Sequence, residues 1–305
     1  MKKSIFFSAT LSLCIMAVAA QAQEYKNFQL SFISPLGTNG THSPFTANKV
    51  SLNIIGGYSY ASTGFEFGGI YNINTHLTQG IQFAGIFNYS GNAHNAIQIS
   101  GITNLAKNGT VTAQIAGIVN VAQRVKGVQL GVINISEECD GVPVGLINIV
   151  KNGGKRELEV SVSEALNTAV SFKLGLARFY TIFSAGVNYA NHPVEFAAGL
   201  GFGTHIDWKQ GWGNQIELLG YALTEDGKFR SGTNLLTQLK FPVSKQIAPR
   251  FEVFAGPVIN LTISDYVNPE TGKLGSSLSP WSMWKNDSEK TRVNSWIGIS
   301  AGVRF

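Results

Sequence analysis

The string GIQFAGIFN at residues 80 to 88 returns sixteen residues later within NAIQISGITN and again within TAQIAGIVN. Its core is Gly, an aliphatic residue, any residue, then Asn. That core stands at Gly69-Ile70-Tyr71-Asn72, Gly85-Ile86-Phe87-Asn88, Gly101-Ile102-Thr103-Asn104, Gly117-Ile118-Val119-Asn120, Gly131-Val132-Ile133-Asn134 and Gly145-Leu146-Ile147-Asn148, with steps of 16, 16, 16, 14 and 14. A helical-hairpin repeat needs ~34 residues or more. Each copy here has room for one short strand and a turn, which gives six strand repeats over about residues 64 to 151.

Side chains alternate faces along a strand. In the second copy one face carries Ile81, Phe83, Gly85, Phe87 and Tyr89, and the other Gln82, Ala84, Ile86, Asn88 and Ser90. The third and fourth copies place Gln98 and Asn104, then Gln114 and Asn120, on the same amide-bearing face, and the first has Glu66 in the Gln place before Asn72. In the fifth, Gln129 stands two residues before its glycine instead of three, which predicts a bulge or register change.

Beyond the repeats, further strands are predicted over Asn27 to Pro35, Val50 to Tyr60, Glu157 to Ser163, Ala169 to Ala177, Phe179 to Tyr189, Val194 to Trp208, Asn214 to Thr224, Thr233 to Lys240, Arg250 to Ile263 and Asn294 to Phe305. In the last, Ile297, Ile299, Ala301, Val303 and Phe305 form one face, against Trp296, Gly298, Ser300, Gly302 and Arg304. Such alternation suits a strand with lipid on one side and a polar lumen on the other. The expected fold is therefore all-β: a transmembrane antiparallel up-and-down barrel of about 14 to 16 strands, one domain over 23–305, with Glu66, Asn72, Gln82, Asn88, Gln98, Asn104, Gln114 and Asn120 lining the lumen. Its long outer loops would be Leu36 to Lys49 and Ser264 to Arg292, the latter offering Trp281 and Trp284 for surface contacts. The competing arrangement is a β-solenoid joined to a smaller barrel, with the Gln and Asn rows stacked as amide ladders. Identical residues at identical places suit parallel stacking, because a meander inverts every second copy.

The N-terminus places the chain outside the cytoplasm. Lys2 and Lys3, an apolar run from Ile5 to Ala19 and Ala20-Gln21-Ala22 read as a signal peptide over 1–22. Cys14 lies in that run without a lipobox, so Cys139 is the single thiol of the mature chain and no internal disulfide is expected. Charged residues make up 13% of the chain, about half the usual ~25%. With Lys2 and Lys3 set aside, 21 basic and 18 acidic residues remain, with no basic patch for nucleic acid.

GVQLGVINIS…GVPVGLINIVKNG, followed by RELEVSVSEALNTAVSFKLGLARFYTIFSAG and the terminal WIGISAGVRF, resembles the surface-repeat proteins of Gram-negative outer membranes, particularly those of gut anaerobes. The resemblance implies a cell-envelope location and an outer-membrane β-barrel. It carries no activity and no functional residues. The terminal Phe resembles the signature by which the barrel assembly machinery recognises such strands, so that machinery and outer-membrane lipid are the expected partners.

Little in the chain points to catalysis. His42, His76, His94 and His192 fall in predicted loops or turns, and His205 and Asp207 share a strand face without a Gly-x-Ser-x-Gly elbow. Cys139 and the scattered histidines form no metal-ligand cluster, and Gly199-Leu200-Gly201-Phe202-Gly203 lies within a strand instead of before a helix, as a phosphate loop would. No enzyme, cofactor or metal is expected. The functions expected are a passive porin-like channel for small polar solutes or, alternatively, a closed surface barrel acting as adhesin, receptor or structural envelope protein through its outer loops.

Overall fold

The computed structural model describes residues 24–305 apart from 191–193, 225–231, 269–271, 273, 277, 280 and 289, so the expected signal peptide over 1–22 and His192 lie outside the described residues. The fold is all-β. Contacts divide it into two compact units, one ending at Gly141 and the other beginning at Val142.

In the first unit the copies pair in parallel, which overturns the expected up-and-down pairing of the repeats. Phe87 lies beside Thr103, Asn88 beside Asn104 and Gln98 beside Gln114, all in parallel ladders sixteen residues apart. Each copy is thus one coil. It runs along a first sheet (Ile81–Ala84), turns at Gly85-Ile86, continues along a second sheet from Phe87, and turns again near Asn95. The strands Glu24–Ile33 and Thr46–Ser59 pair in parallel and extend the stack ahead of the repeats. The Leu36 to Lys49 segment, expected as a barrel loop, belongs to this unit and contains a short 3-10 turn, Gly40–Phe45.

The glycine of the first four copies has a steric reason. A Cβ on Gly101 would sit 2.2 Å from the carbonyl oxygen of Gly85, and one on Gly117 2.3 Å from that of Gly101. Successive coils approach too closely at this corner for any side chain. The shortening of the fifth copy is absorbed at the opposite corner. The pairing of Thr103–Ala116 with Val119–Leu130 slips between Ala106 and Thr110 and again between Val111 and Ala113, and afterwards Gln114 still meets Gln129.

The second unit holds a closed antiparallel barrel. Lys155–Ser163, Thr168–Leu176, Phe179–Asn188, Glu195–Asp207 and Trp212–Thr224 pair in sequence as a meander. Trp212–Thr224 then pairs with Asn234–Lys240 and Val243–Ala248, which act as one strand interrupted at Phe241-Pro242, where proline has no N–H for the ladder. Phe251–Ser264 and Arg292–Arg304 follow, and the ring closes where Ser161 meets Gly302. Among the described residues eight strands make the wall, about half the number expected for the whole chain. The sixth repeat copy belongs to this unit and covers part of the wall: Asn148 Nδ2 donates to Thr181 Oγ1 at 3.2 Å, and that hydroxyl donates to the Gly145 carbonyl at 2.8 Å.

Candidate functional site: two polar interiors

Alternation along the coil turns the amides inward and the large apolar groups outward. Asn72, Asn88, Asn104, Asn120, Gln82, Gln98, Gln114 and Glu66 are all fully buried. They line the interior of the coil stack, not a barrel lumen, which corrects the expected lumen lining. The Asn row runs Asn72 to Asn88, Asn88 to Asn104 and Asn104 to Asn120, each Nδ2 donating to the next Oδ1 at 3.0–3.1 Å. The Gln row donates the other way: Gln114 to Gln98 at 2.7 Å, Gln98 to Gln82 at 2.8 Å, and Gln82 to Glu66 at 2.9 Å. The opposed directions set the two rows of amide dipoles against each other.

The Asn side chains also close the glycine corner. Asn88 Nδ2 donates to Ile99 O at 2.9 Å and Asn104 Nδ2 to Ile115 O at 2.8 Å, reaching across the coil to carbonyls at the end of the facing sheet. A buried carbonyl without a partner costs ~1–3 kcal/mol, so each Asn serves both its row and the corner. Glu66 ends the Gln row because a carboxylate only accepts. Its Oε2 takes bonds from Gln82 and from Asn74 (2.7 Å), while Oε1 is buried without one. Burial pushes this carboxyl above its usual range, against the lowering effect of its amide donors. The interior has members that the repeat motif did not reveal: Gln29, Asn39, Asn48 and Asn53 bond among themselves ahead of the repeats. The sequence signal of Gln29, Asn48 and Asn53 is alternation alone, without the Gly-x-x-Asn frame, and Asn39 stands off the strands, just ahead of the 3-10 turn.

The barrel interior is ionic at one level and holds an apolar cluster above it, interleaved with the hydrogen-bonded pairs Ser171–Ser184 and Gln238–Asn260. Lys173 Nζ lies 2.5 Å from both Glu159 Oε2 and Glu217 Oε1. Arg304 Nε donates to Glu159 at 2.7 Å, Tyr180 OH donates to Glu217 at 2.7 Å, and the Arg304 guanidinium sits 4.0 Å from the centre of the Phe254 ring. Strand register assembles this level: Arg304 pairs across strands with both Glu159 and Glu252, and Glu217 with Lys240. Three cations (Lys173, Lys240, Arg304) therefore meet three carboxylates (Glu159, Glu217, Glu252). Above them Ile182, Leu219, Leu236 and Trp296 pack with Leu166 and Leu278 from the connecting segments. Gly199, Gly201 and Gly203 line this interior, where an added Cβ would strike Tyr221, the Leu218-Leu219 segment and Tyr180 respectively. The glycine run thus seats large side chains that fill the lumen. An eight-stranded barrel has an interior just wide enough for such filling.

His205 and Asp207 do meet, Nε2 to Oδ1 at 3.3 Å, at the barrel end formed by the short turns. The other neighbours of the imidazole are Lys155 at 3.4 Å and Gln215. Among the described residues no hydroxyl stands beside it as a nucleophile. Trp281 and Trp284 are both about half exposed. Trp281 lines a shallow outer groove with Val162, Ile297 and Ile299, and Trp284 begins a four-residue strand that pairs with the extended end of Arg292–Arg304. In that groove the Glu164 carboxylate accepts from the backbone N–H of Ile299 (3.0 Å), from Trp296 Nε1 (3.1 Å) and from Asn260 Nδ2 (2.9 Å). A side chain thus takes the place of a missing ladder partner.

No family model and no curated relative matches the chain. Among solved structures, the crystal structure of Neisserial surface protein A is similar over 49% of this chain and 92% of its own, at 14% identity and a TM-score of 0.27. A likeness at that level carries no functional argument.

Proposed function

We propose that this chain is an outer-membrane protein of the Gram-negative cell envelope, with a membrane-spanning barrel closed to solutes, and that it serves as a non-enzymatic surface or structural component instead of a channel. One observation carries this reading: the second unit is apolar outside and filled inside. Its outward wall positions include Val170, Phe172, Leu200, Leu218, Ile259 and Ile297, each 44–52% exposed. Burying them against bilayer hydrocarbon removes the cost of showing them to water. Exposed aromatics gather at both ends of this band, Trp208, Trp212 and Phe305 by the short turns and Tyr189, Phe196 and Trp284 by the other. Girdles of this kind flank the lipid-facing band of outer-membrane barrels. Glu159, Lys173, Glu217, Lys240 and Arg304 turn inward, where they neutralise one another, and Arg156 and Asp207 stand exposed at the short-turn end of the wall.

The resemblance of the repeats to surface-repeat proteins supports the same location. The strand Arg292–Arg304, followed by Phe305, is the segment this reading offers to the barrel assembly machinery. The porin-like alternative needs an open lumen lined with amides, whereas the amide rows stand in the coil stack and the barrel interior is packed. Planar-bilayer recording on heat-modifiable, folded protein tests the closed barrel, with no conductance above the bare bilayer expected. Sustained single-channel steps, or recovery of the protein in the soluble periplasmic fraction, would overturn it.

A further inference from the structure

The coil stack of the first unit is inverted relative to an ordinary soluble core, and its outer surface is divided lengthwise. Along the glycine corner, Ile70, Ile86, Ile102, Ile118 and Val132 follow one another coil by coil, each 41–47% exposed. At ~4.8 Å per coil these five form an aliphatic ridge roughly 19 Å long. On either side lie apolar rows, with Phe83, Ile99 and Ile115 on one sheet and Tyr89, Leu105 and Val121 on the other. The charged groups collect at the opposite corner. Arg124 reaches Asp140 at 2.9 Å and Glu138 at 3.2 Å, all about half exposed, and Lys107 and Lys126 lie along the same edge.

We propose that this coil stack is a membrane wedge: the glycine corner and its flanks sit in lipid hydrocarbon and the charged corner stays in water. The inference rests on the membrane location proposed above and goes beyond it, because it assigns a lipid contact to the unit that is not a barrel. Three observations select lipid as the occupant. First, the apolar surface wraps a ridge and both of its flanks, a shape that fluid acyl chains cover on all sides and that one flat face of a second copy does not. Second, backbone groups in the coils are paired in ladders and polar side chains are paired in the amide rows, so the outer surface presents hydrocarbon with few unpaired polar groups, as an apolar medium requires. Third, the apolar depth fits the membrane interface. From Ile86 to Tyr89 is three residues, roughly 10 Å at ~3.3 Å each. That matches the depth to which amphipathic elements enter an interface and falls well short of the ~30 Å hydrocarbon core. A stack standing across the bilayer would take Lys107, Arg124, Lys126, Glu138 and Asp140 into lipid. One lying flat keeps them in water.

Depth-resolved quenching distinguishes the outcomes. The full exported chain, carrying Cys139→Ser, receives one cysteine at Ile86, Ile118, His94 or Leu200, each labelled with an environment-sensitive fluorophore. It is reconstituted into phosphatidylcholine vesicles containing doxyl-labelled lipid. The labels at Ile86 and Ile118 should lose as much fluorescence as the barrel-wall label at Leu200, and the label at His94 should lose none. If the two corner labels behave like His94 while Leu200 is quenched, the wedge is refuted and the membrane barrel stands. If Leu200 is also unquenched, both readings fall. Corner labels shielded from water without doxyl quenching, and released when the protein is diluted in lipid, would refute the wedge in favour of a second copy.

Discussion

Glu66 shows how one residue closes a row. Every amide in the Gln row passes a bond along, and a terminal acceptor is needed where the row stops. A carboxylate supplies it, with one buried oxygen left unpaired. Its pKa is raised by burial, so the folded chain holds a proton that the unfolded chain releases above the ordinary value of 4.5. Stability contributed at this site is therefore fully present below that value and falls as pH rises toward the folded-state pKa. Glu66→Gln keeps the acceptor for Gln82 and removes the ionisable group. It should match the parent in urea denaturation below about pH 4.5 and become progressively more stable than the parent as pH rises. A constant difference across pH would contradict this account. The ionic level in the barrel calls for a different judgement. Lys173 between Glu159 and Glu217 gains strong attraction at a large desolvation cost, and such buried pairs are weak sources of net stability. Ring closure brings Glu159, Lys173, Glu217 and Arg304 together at inward positions of the wall strands.

At the scale of the element, the repeat unit is a coil and its glycine is a spacer between backbones. Sequence periodicity identified the unit, its length and its two faces, and the strand limits in the second half were close. Phe179 to Tyr189 was expected and Phe179–Asn188 is observed, and Asn214 to Thr224 was expected against Trp212–Thr224. Val243–Ala248 was not anticipated, because Pro242 reads as a strand end when in fact one wall strand resumes after it. Gly101→Ala separates the coil from the meander. In the coil its Cβ would overlap the Gly85 carbonyl, which is backbone and cannot rotate away. Overpacking of this kind costs about 1–3 kcal/mol. The variant should show a lowered unfolding midpoint by thermal circular dichroism. An unchanged midpoint would mean that the coils do not approach as closely as described.

Over the whole molecule, one rule of alternation produces two different objects. Both put polar groups inside and apolar groups outside. In the coil stack the inside is sealed by amide rows, and in the barrel by paired charges and packed aromatics. The outward wall is where lipid contact is proposed, and Phe172, 44% exposed there, is the test position. Phe172→Arg should cost ~2–4 kcal/mol if the position lies near the bilayer midplane. The expected result is loss of the heat-modifiable folded band in the outer-membrane fraction. His94→Arg, at the exposed polar corner of the coil, should assemble normally. Equal tolerance of both would contradict a lipid-facing wall.

The sequence by itself determined the all-β class, the repeat unit, which side chains share a face and the strands of the second half. Those follow from period-two alternation and local turn chemistry, which act within a few residues. Tertiary structure alone decided whether neighbouring copies run parallel or antiparallel. Alternation within a strand is identical in both cases, so it could not distinguish a barrel wall from a coil. The exact recurrence of Gln82, Gln98 and Gln114 did carry the answer, because in-register amides bond only when successive copies point the same way. The filled lumen was hidden for a related reason: Glu159, Lys173, Glu217 and Arg304 are far apart in sequence, and only closure of the ring brings them to one level.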